Sequence, residues 1–127
     1  MATDEAVAAA FIARLAALGA LPYDYDDLAA ASPKPENYTE VTVTRRYGGV
    51  QRGSGVRDGR LYRATARQVA KTVSNARNLR AKSAGLEGVS LTVGSETTTP
   101  LEFETAQPIG PDDGWFSGLE TWTFALI

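Results

Sequence analysis

The sequence predicts an α+β fold in which a mostly antiparallel sheet is covered by two helices. The first observation is an apolar stripe with helical spacing near the start of the chain. The second is a series of short segments in which apolar and polar residues alternate, as they do along half-buried strands. The third is the element order α-β-β-α-β-β-β, which is typical of an α+β sandwich. A length of 127 residues suits a single domain, residues 1–127.

The first element is an amphipathic helix over about residues 4–18. Apolar residues recur there every three or four positions, at Val7, Phe11, Leu15 and Leu18. Thr3 can cap the start of this helix, and Gly19 can end it. The following residues, 20–37, contain three prolines, which restrict both helices and strands. We therefore expect an irregular connector after the helix.

Two alternating segments, residues 38–47 and 60–70, predict the strands of a hairpin. In the first segment Val41 and Val43 point to one face, and the intervening threonines point to the other. Between the two strands lies the sequence GGVQRGSGVRDG, residues 48–59. The fold class therefore includes a long hairpin loop rich in glycine and arginine, which we expect to be a flexible arm.

The second half of the chain predicts one more helix and three more strands. Ser74 is a candidate cap for a helix that Gly85 would end at about Ala84. Residues 89–93 and 100–106 are expected to be strands, and QPIGPDDG between residues 107 and 114 is expected to be a turn region. The chain closes with a strand that places three apolar residues on one face: Trp122, Phe124 and Leu126.

The charged residues are separated along the chain. Residues 45–82 contain eleven Lys and Arg residues and one acid, a net charge of +10. The remaining residues carry a net charge of −12, so the whole chain is at −2. Such a division suits contact between dissimilar surfaces of neighbouring subunits, or between the basic part and nucleic acid. The alternative, to which we give equal weight, is that the basic and acidic parts are surfaces exposed to solvent that bind no partner.

The sequence carries no signature of catalysis or of cofactor binding, so we expect neither an enzyme nor a metal protein. It contains no histidine and no cysteine, which removes the usual general base, the usual nucleophilic thiol and the commonest metal ligands. Gly53, Gly55 and Gly59 resemble a dinucleotide fingerprint, but the third glycine comes one position late and a strand follows it. Two carboxylate pairs could in principle act as acid and base, but a structural role is favoured for both. The sequence Asp112–Asp113–Gly114 is typical of a turn, and Glu102 and Glu104 are expected on the outward face of a strand.

No segment indicates a membrane or export signal. No apolar run approaches the roughly 20 residues that span a bilayer. The N-terminus has an acidic start, and Arg14 interrupts its apolar stretch, which argues against a signal peptide. A small nucleic-acid-associated protein stays open as an alternative, because the arginines between residues 45 and 67 could follow phosphates and Tyr47 and Tyr62 could stack on bases. No recognised DNA- or RNA-binding motif is present.

The order of these segments resembles the tail terminator proteins of long-tailed, non-contractile bacteriophages, especially those of actinobacterial hosts. The resemblance covers nearly the whole chain. It is carried by the N-terminal helix, by YTEVTVTRRYGG, by GRLYRATARQVAKTVSNARNLRAKSAGLEGVSLTVG, and by PLEFETA, GPDDG and TWTFAL. It is clearest from residue 60 to residue 127. Head–tail connector proteins and minor tail proteins share similar small α+β folds and are the alternatives within this class.

The resemblance implies a structural virion protein, assembled in the host cytoplasm and located at the head–tail junction. It implies a ring, commonly a hexamer, that caps the tail tube and stops its polymerisation. The implied partners are other copies of the chain, the major tail tube protein and a head–tail connector protein, with non-specific DNA contact in the lumen as a secondary expectation. No catalytic residue or cofactor is implied. We expect the arm to contact one of these partners through Arg45, Arg46, Gln51, Arg52, Arg57 and Arg60.

Overall fold

A computed structural model describes residues 2–30, 35–46 and 60–127 of the chain. The described part contains three α-helices: α1 (Asp4–Ala17), α2 (Tyr25–Ala30) and α3 (Val73–Ser83). Its strands are β1 (Pro22–Asp24), β2 (Asn37–Arg46), β3 (Arg60–Ala70), β4 (Thr92–Val93), β5 (Glu96–Thr97), β6 (Glu102–Ala106), β7 (Gly110–Asp112) and β8 (Trp115–Leu126). The predicted α+β fold with a mostly antiparallel sheet is confirmed.

Three long antiparallel strands form the centre of the main sheet. Its order is β1-β2-β3-β8-β6, and β7 pairs with β8 beside β6. Strand β3 pairs along its whole length with both neighbours, so that Ala64 lies between Val43 and Trp122. The two predicted hairpin strands and the closing strand are thus confirmed, because alternation over ten or more residues specifies a strand without ambiguity.

The sheet has one face covered by helices, which we call the covered face, and a second face, which we call the open face. On the covered face, Tyr62 and Phe124 stack with their ring centroids 5.5 Å apart. Phe11 of α1 stacks on Phe124 from above, at 6.2 Å. The apolar stripe predicted for α1 is buried in this core. Helix α3 lies over the same face further along, where Arg80 bonds to Gln68.

Both ends of α1 follow the prediction, and α3 ends at Ser83, within one residue of the predicted Ala84, but its predicted N-cap is wrong. The Thr3 side chain accepts a hydrogen bond from the Ala6 N–H, and Gly19 adopts a φ of +81°. Helix α3 is capped by Thr72 and not by Ser74, so it begins one residue before the predicted cap. It continues into a 3₁₀ turn, Ala84–Leu86. Gly85 has a packing role there, because a Cβ at this position would lie 2.8 Å from Leu18 Cδ2.

The prediction of an irregular connector over residues 20–37 is wrong for most of the part that is described. Residues 22–24 form β1, which runs parallel to β2, and residues 25–30 form α2. Pro22 is tolerated because it is the first residue of a strand at the edge of the sheet. The parallel pairing brings together residues 17 positions apart, such as Pro22 and Thr39, and local sequence patterns do not report such pairing.

The predictions for residues 89–114 need three corrections. Of the predicted strand 89–93, Thr92 and Val93 form a strand that pairs with β5 in a small hairpin, and Val89 and Leu91 accept single backbone hydrogen bonds from Leu101 and Thr98. The alternation of residues 100–106 predicts that Phe103 and Thr105 share a face, but β6 has a register shift between them, so Thr105 pairs with Thr121 on the open face. The expected turn region at 107–114 contains β7, so residues 107–109 connect β6 to β7 and residues 113–114 connect β7 to β8.

The predicted arm, residues 48–59, lies outside the described residues, as does Tyr47. The strands at both sides of it, β2 and β3, pair from Arg46 and Leu61 onward. The structure therefore describes the root of the hairpin and the sheet into which it runs.

Candidate assembly surface

The root of the hairpin is bonded to the start of α1 through Asp4. Its Oδ1 atom accepts hydrogen bonds from Tyr62 Oη at 2.6 Å and from Arg45 Nη2 at 2.7 Å. Arg60 lies 3.5 Å from the same oxygen and donates from its other guanidinium nitrogen to the Ala2 carbonyl at 2.5 Å. One carboxylate thus connects both strands of the hairpin to the first turn of the helix.

Electrostatics favour the ionised form of this carboxyl group. The hydrogen bond from Tyr62 and the one from Arg45 hold the pKa of Asp4 below its ordinary value of 3.8. Burial raises the pKa of the Tyr62 hydroxyl, and its bond to the negative Asp4 adds to this. Tyr62 therefore remains a neutral donor at physiological pH. No local sequence pattern indicates this cluster, because Arg45 and Tyr62 lie 41 and 58 positions from Asp4 along the chain.

The predicted contact residues separate into three groups. Arg45 and Arg60 point to the covered side of the sheet and are bonded to Asp4. Arg46 lies on the open face, where it lines a shallow depression together with Leu61, Glu102 and Thr123. The remaining predicted residues, Gln51, Arg52 and Arg57, lie outside the described residues. The structure thus brings Arg45 and Arg60 together and directs Arg46 to the opposite face.

The charge division along the sequence is partly neutralised within the fold. Strand β3 places Arg63 and Arg67 on the open face, between strands that carry acids. Arg63 binds Glu104 of β6 through two hydrogen bonds of 3.1 and 3.2 Å. Arg67 binds Asp112 of β7 and lies 3.6 Å from Glu40 of β2. With Arg45 and Arg60, four of the nine described basic residues of the segment 45–82 form ion pairs within the chain.

A buried polar cluster lies beneath α3. The Gln68 side chain is fully buried; it donates to Glu120 Oε1 at 2.7 Å and accepts from Arg80 Nε at 3.2 Å. Burial raises the pKa of the Glu120 carboxyl, although Arg80 and Gln68 oppose this effect. Arg80 also donates to the Gln107 carbonyl at 2.7 Å. We assign these residues a structural role, since they join α3 to the sheet. The sequence signal for this cluster was that Gln68 and Glu120 stand two positions from buried residues of their strands, where an apolar side chain would be expected.

The carboxylate pairs that the sequence offered, Asp112–Asp113 and Glu102 with Glu104, lie at or near the surface of the sheet. Among them, no group of three or more potential ligand side chains could hold a metal ion. Asp112 is bonded to Arg67 and to the Ser117 hydroxyl, and Glu102 and Glu104 are exposed on the edge strand β6. None of the helices in the described ranges combines the length and apolar character that crossing a bilayer requires.

Comparison with solved structures finds the same fold over nearly the whole chain. A chain from the virion of a native gene transfer agent particle superposes with a TM-score of 0.70 and 18% sequence identity, covering 96% of this chain and 95% of that one. A second solved chain superposes with a TM-score of 0.62 and 13% identity, covering 98% and 96%. No protein-family model matches the sequence, and no curated protein matches it. At these identities the likeness establishes a shared fold.

Proposed function

We propose that the chain is a structural virion protein of a bacteriophage or phage-like particle, and that it forms a ring, commonly hexameric, on the end of the tail tube. In this position the ring stops tube polymerisation and offers the surface to which the head is joined. The observation that carries the proposal is the agreement in fold with a chain of a gene transfer agent virion, which extends over 96% of this chain and 95% of that one. Agreement over both full lengths means that the whole domain is shared.

The element order supports the finer assignment to a tail terminator. The amphipathic helix, the long hairpin, the helix containing NARNLR and the aromatic closing strand are the features in which the sequence resembles that family. The described segments that carry the resemblance form one sheet with α1 and α3 over one face. A head–tail connector or a minor tail protein would share this architecture, so location in the particle separates these assignments.

We still assign the hairpin to contact with a partner, but with fewer contact residues than the sequence predicted. Arg45 and Arg60 are bonded to Asp4, so we assign them to holding the root of the hairpin in place. Contact with the tail tube, the connector or an adjacent subunit then falls to Arg46 and to the arm residues Gln51, Arg52 and Arg57. Nucleic-acid binding is less favoured, because four arginines that could follow phosphates are already paired with acids of the same chain.

The proposal is tested by the mass and the shape of the purified protein. Sedimentation velocity and negative-stain imaging are expected to show a closed ring, and immunogold labelling of intact particles is expected to mark the junction of head and tail. A chain that sediments as a monomer at all concentrations, and binds duplex DNA with a steep salt dependence, would contradict the ring and support the nucleic-acid alternative. Labelling at the distal end of the tail would favour a minor tail protein.

A further inference from the structure

The outer surface of α3 carries basic residues and no acid. The sequence contains no acidic residue between Asp58 and Glu87, and α3 lies within this stretch. The helix buries one stripe of side chains against the sheet: Ala76, Leu79 and Ser83. On the other side of the helix, Arg77 and Lys82 are exposed to solvent. The side of α3 that faces away from the sheet is therefore positively charged.

The end of α1 extends this positive surface. Helix α1 ends beside α3, where Leu18 packs against Gly85. The Lys82 side chain lies next to Gly19, with its Cδ atom 3.6 Å from the position that a Cβ of this glycine would take. Arg14 is exposed one helical turn before Leu18, on the same side of α1. We call these three exposed cations the basic helix surface: Arg14, Arg77 and Lys82.

No acid of the described ranges neutralises the basic helix surface. The ion pairs formed within those ranges include none of its three residues. The acid nearest to α3 along the chain is Glu87, whose carboxylate accepts a hydrogen bond from the Phe103 N–H of β6 at 3.1 Å. Glu120 lies beneath the helix, but it is buried and bonded to Gln68. The three positive charges are therefore available to a negatively charged partner.

The side chains around these cations favour nucleic acid over a protein as the partner. The other exposed residues of α3 are small or polar: Ser74, Asn75, Asn78 and Ala81. None of the large apolar side chains that are exposed in the described ranges belongs to this helix. Protein–protein interfaces are centred on apolar and aromatic side chains, whereas protein–DNA interfaces are polar and positively charged. Arginine, lysine, serine and asparagine are common donors to phosphate oxygens.

The fold holds α3 in place, so its cations project from a fixed support. The Thr72 side chain caps the start of the helix by accepting a hydrogen bond from the Asn75 N–H at 3.2 Å. Near the other end, Arg80 donates to Gln68 at 3.2 Å and to the Gln107 carbonyl at 2.7 Å. The helix is thus already ordered before a ligand arrives, and binding does not have to supply the free energy of ordering it.

We propose that the basic helix surface binds the phosphate groups of duplex DNA without regard to base sequence. Each of its three cations contacts one phosphate, and such contacts position a protein on the duplex without reading its bases. Nucleic-acid contact thereby moves from the hairpin strands, where four arginines are paired with acids, to the helices. This binding activity goes beyond the proposed structural function and does not require the ring.

Fluorescence anisotropy with a short labelled DNA duplex tests the proposal. Three phosphate contacts per subunit predict that the logarithm of the binding constant falls with the logarithm of the salt concentration with a slope of about −3. Arg14→Gln, Arg77→Gln and Lys82→Gln are each expected to weaken binding about tenfold at about 50 mM salt and to reduce the slope by about 1. Lys71→Gln is the matched control. It removes the same charge two residues before α3, but the Lys71 ammonium lies over the Trp115 ring, 3.9 Å from its centroid, so binding is expected to be unchanged.

The outcomes separate DNA binding from the ring. A wild-type protein that forms rings and does not bind the duplex, or whose binding persists in the three surface variants, overturns the proposal and leaves the ring intact. An equal loss in Lys71→Gln also overturns it, because net charge alone would then account for binding. Binding that weakens in the three variants and not in the control supports the proposal, and sedimentation of the same wild-type protein as a monomer would contradict the ring alone. Circular dichroism checks that every variant is folded.

Discussion

Replacement of Asp4 by alanine tests whether the root of the hairpin is held by a single carboxylate. Asp4 Oδ1 is the described hydrogen-bond partner of the Tyr62 hydroxyl, at 2.6 Å, and Tyr62 is fully buried. Alanine therefore removes the acceptor and leaves a polar group without a partner inside the protein. It also removes the ion pairs with Arg45 and Arg60 and an acidic residue in the first turn of α1.

The expected loss of stability is about 2 kcal/mol, dominated by the unpaired hydroxyl at about 1–2 kcal/mol. The charge near the helix N-terminus contributes about 0.3–1 kcal/mol. The ion pairs contribute little, because the Asp4 side chain is 51% exposed and water screens them. Glu5→Ala is a matched control, since Glu5 is the neighbouring acid of the same first turn. We expect the control to show only the loss of the helix-dipole interaction.

A double-mutant cycle with Tyr62→Phe isolates the free-energy cost of leaving the Tyr62 hydroxyl unpaired. Urea unfolding of the wild type, the two single variants and the double variant gives four free energies of unfolding. In the phenylalanine background no hydroxyl is left unpaired, so Asp4→Ala is expected to cost about 1 kcal/mol less than in the wild type. Equal costs of Asp4→Ala in both backgrounds would refute the assigned role of the Tyr62 hydroxyl.

The lowered pKa of Asp4 predicts how the stability of the protein changes with pH. Its pKa is lowered in the folded protein below the ordinary value of 3.8, chiefly by the Tyr62 and Arg45 hydrogen bonds. The stabilisation is therefore present above the unfolded pKa and is lost as the pH falls through the folded pKa. Asp4→Asn should remove this part of the acid dependence, and an unchanged pH profile below pH 4 would contradict it.

Three further predictions concern the buried cluster, the packing of β8 and the arm. Burial raises the pKa of Glu120, so its contribution to stability declines as the pH rises through the folded pKa; Glu120→Gln should remove this decline in urea titrations between pH 4 and 8. Gly118→Ala should cost about 1–3 kcal/mol by overpacking, because the new Cβ would lie 3.1 Å from the Gln107 carbonyl oxygen and 2.5 Å from Nη2 of Arg80, whose guanidinium is bonded to Gln68 and Gln107. Gly110→Ala meets nothing within 4 Å and should be neutral. Replacement of residues 48–59 by a two-residue turn should leave unfolding cooperative and prevent tail joining; fully infectious particles would refute the assigned role of the arm.

Local patterns alone were sufficient for the long elements. The spacing of Val7, Phe11 and Leu15 and the Thr3 cap predicted α1 to within a residue, because helix periodicity and capping depend on neighbours in sequence. Alternation predicted β2 and β3 with their correct faces for the same reason. The α+β class follows from the order of such elements and did not require knowledge of their pairing.

Contacts between distant residues decided the remaining elements. The parallel pairing of β1, the bulge in β6 and the pairing of β7 depend on a partner strand that the local sequence does not contain. The +10 and −12 parts of the chain were also visible in the sequence, but only the fold placed Arg63 beside Glu104 and Arg67 beside Asp112, which neutralises part of the division within one subunit.

The sequence by itself thus determined the fold class and the long helix and strands, because composition and periodicity are local properties. The tertiary structure decided which charges are available to a partner, because availability depends on the neighbours that each side chain meets after folding. Arg45 and Arg60 are held by Asp4, whereas Arg46 and Glu102 lie on opposite edges of one sheet without an ion pair in the described ranges.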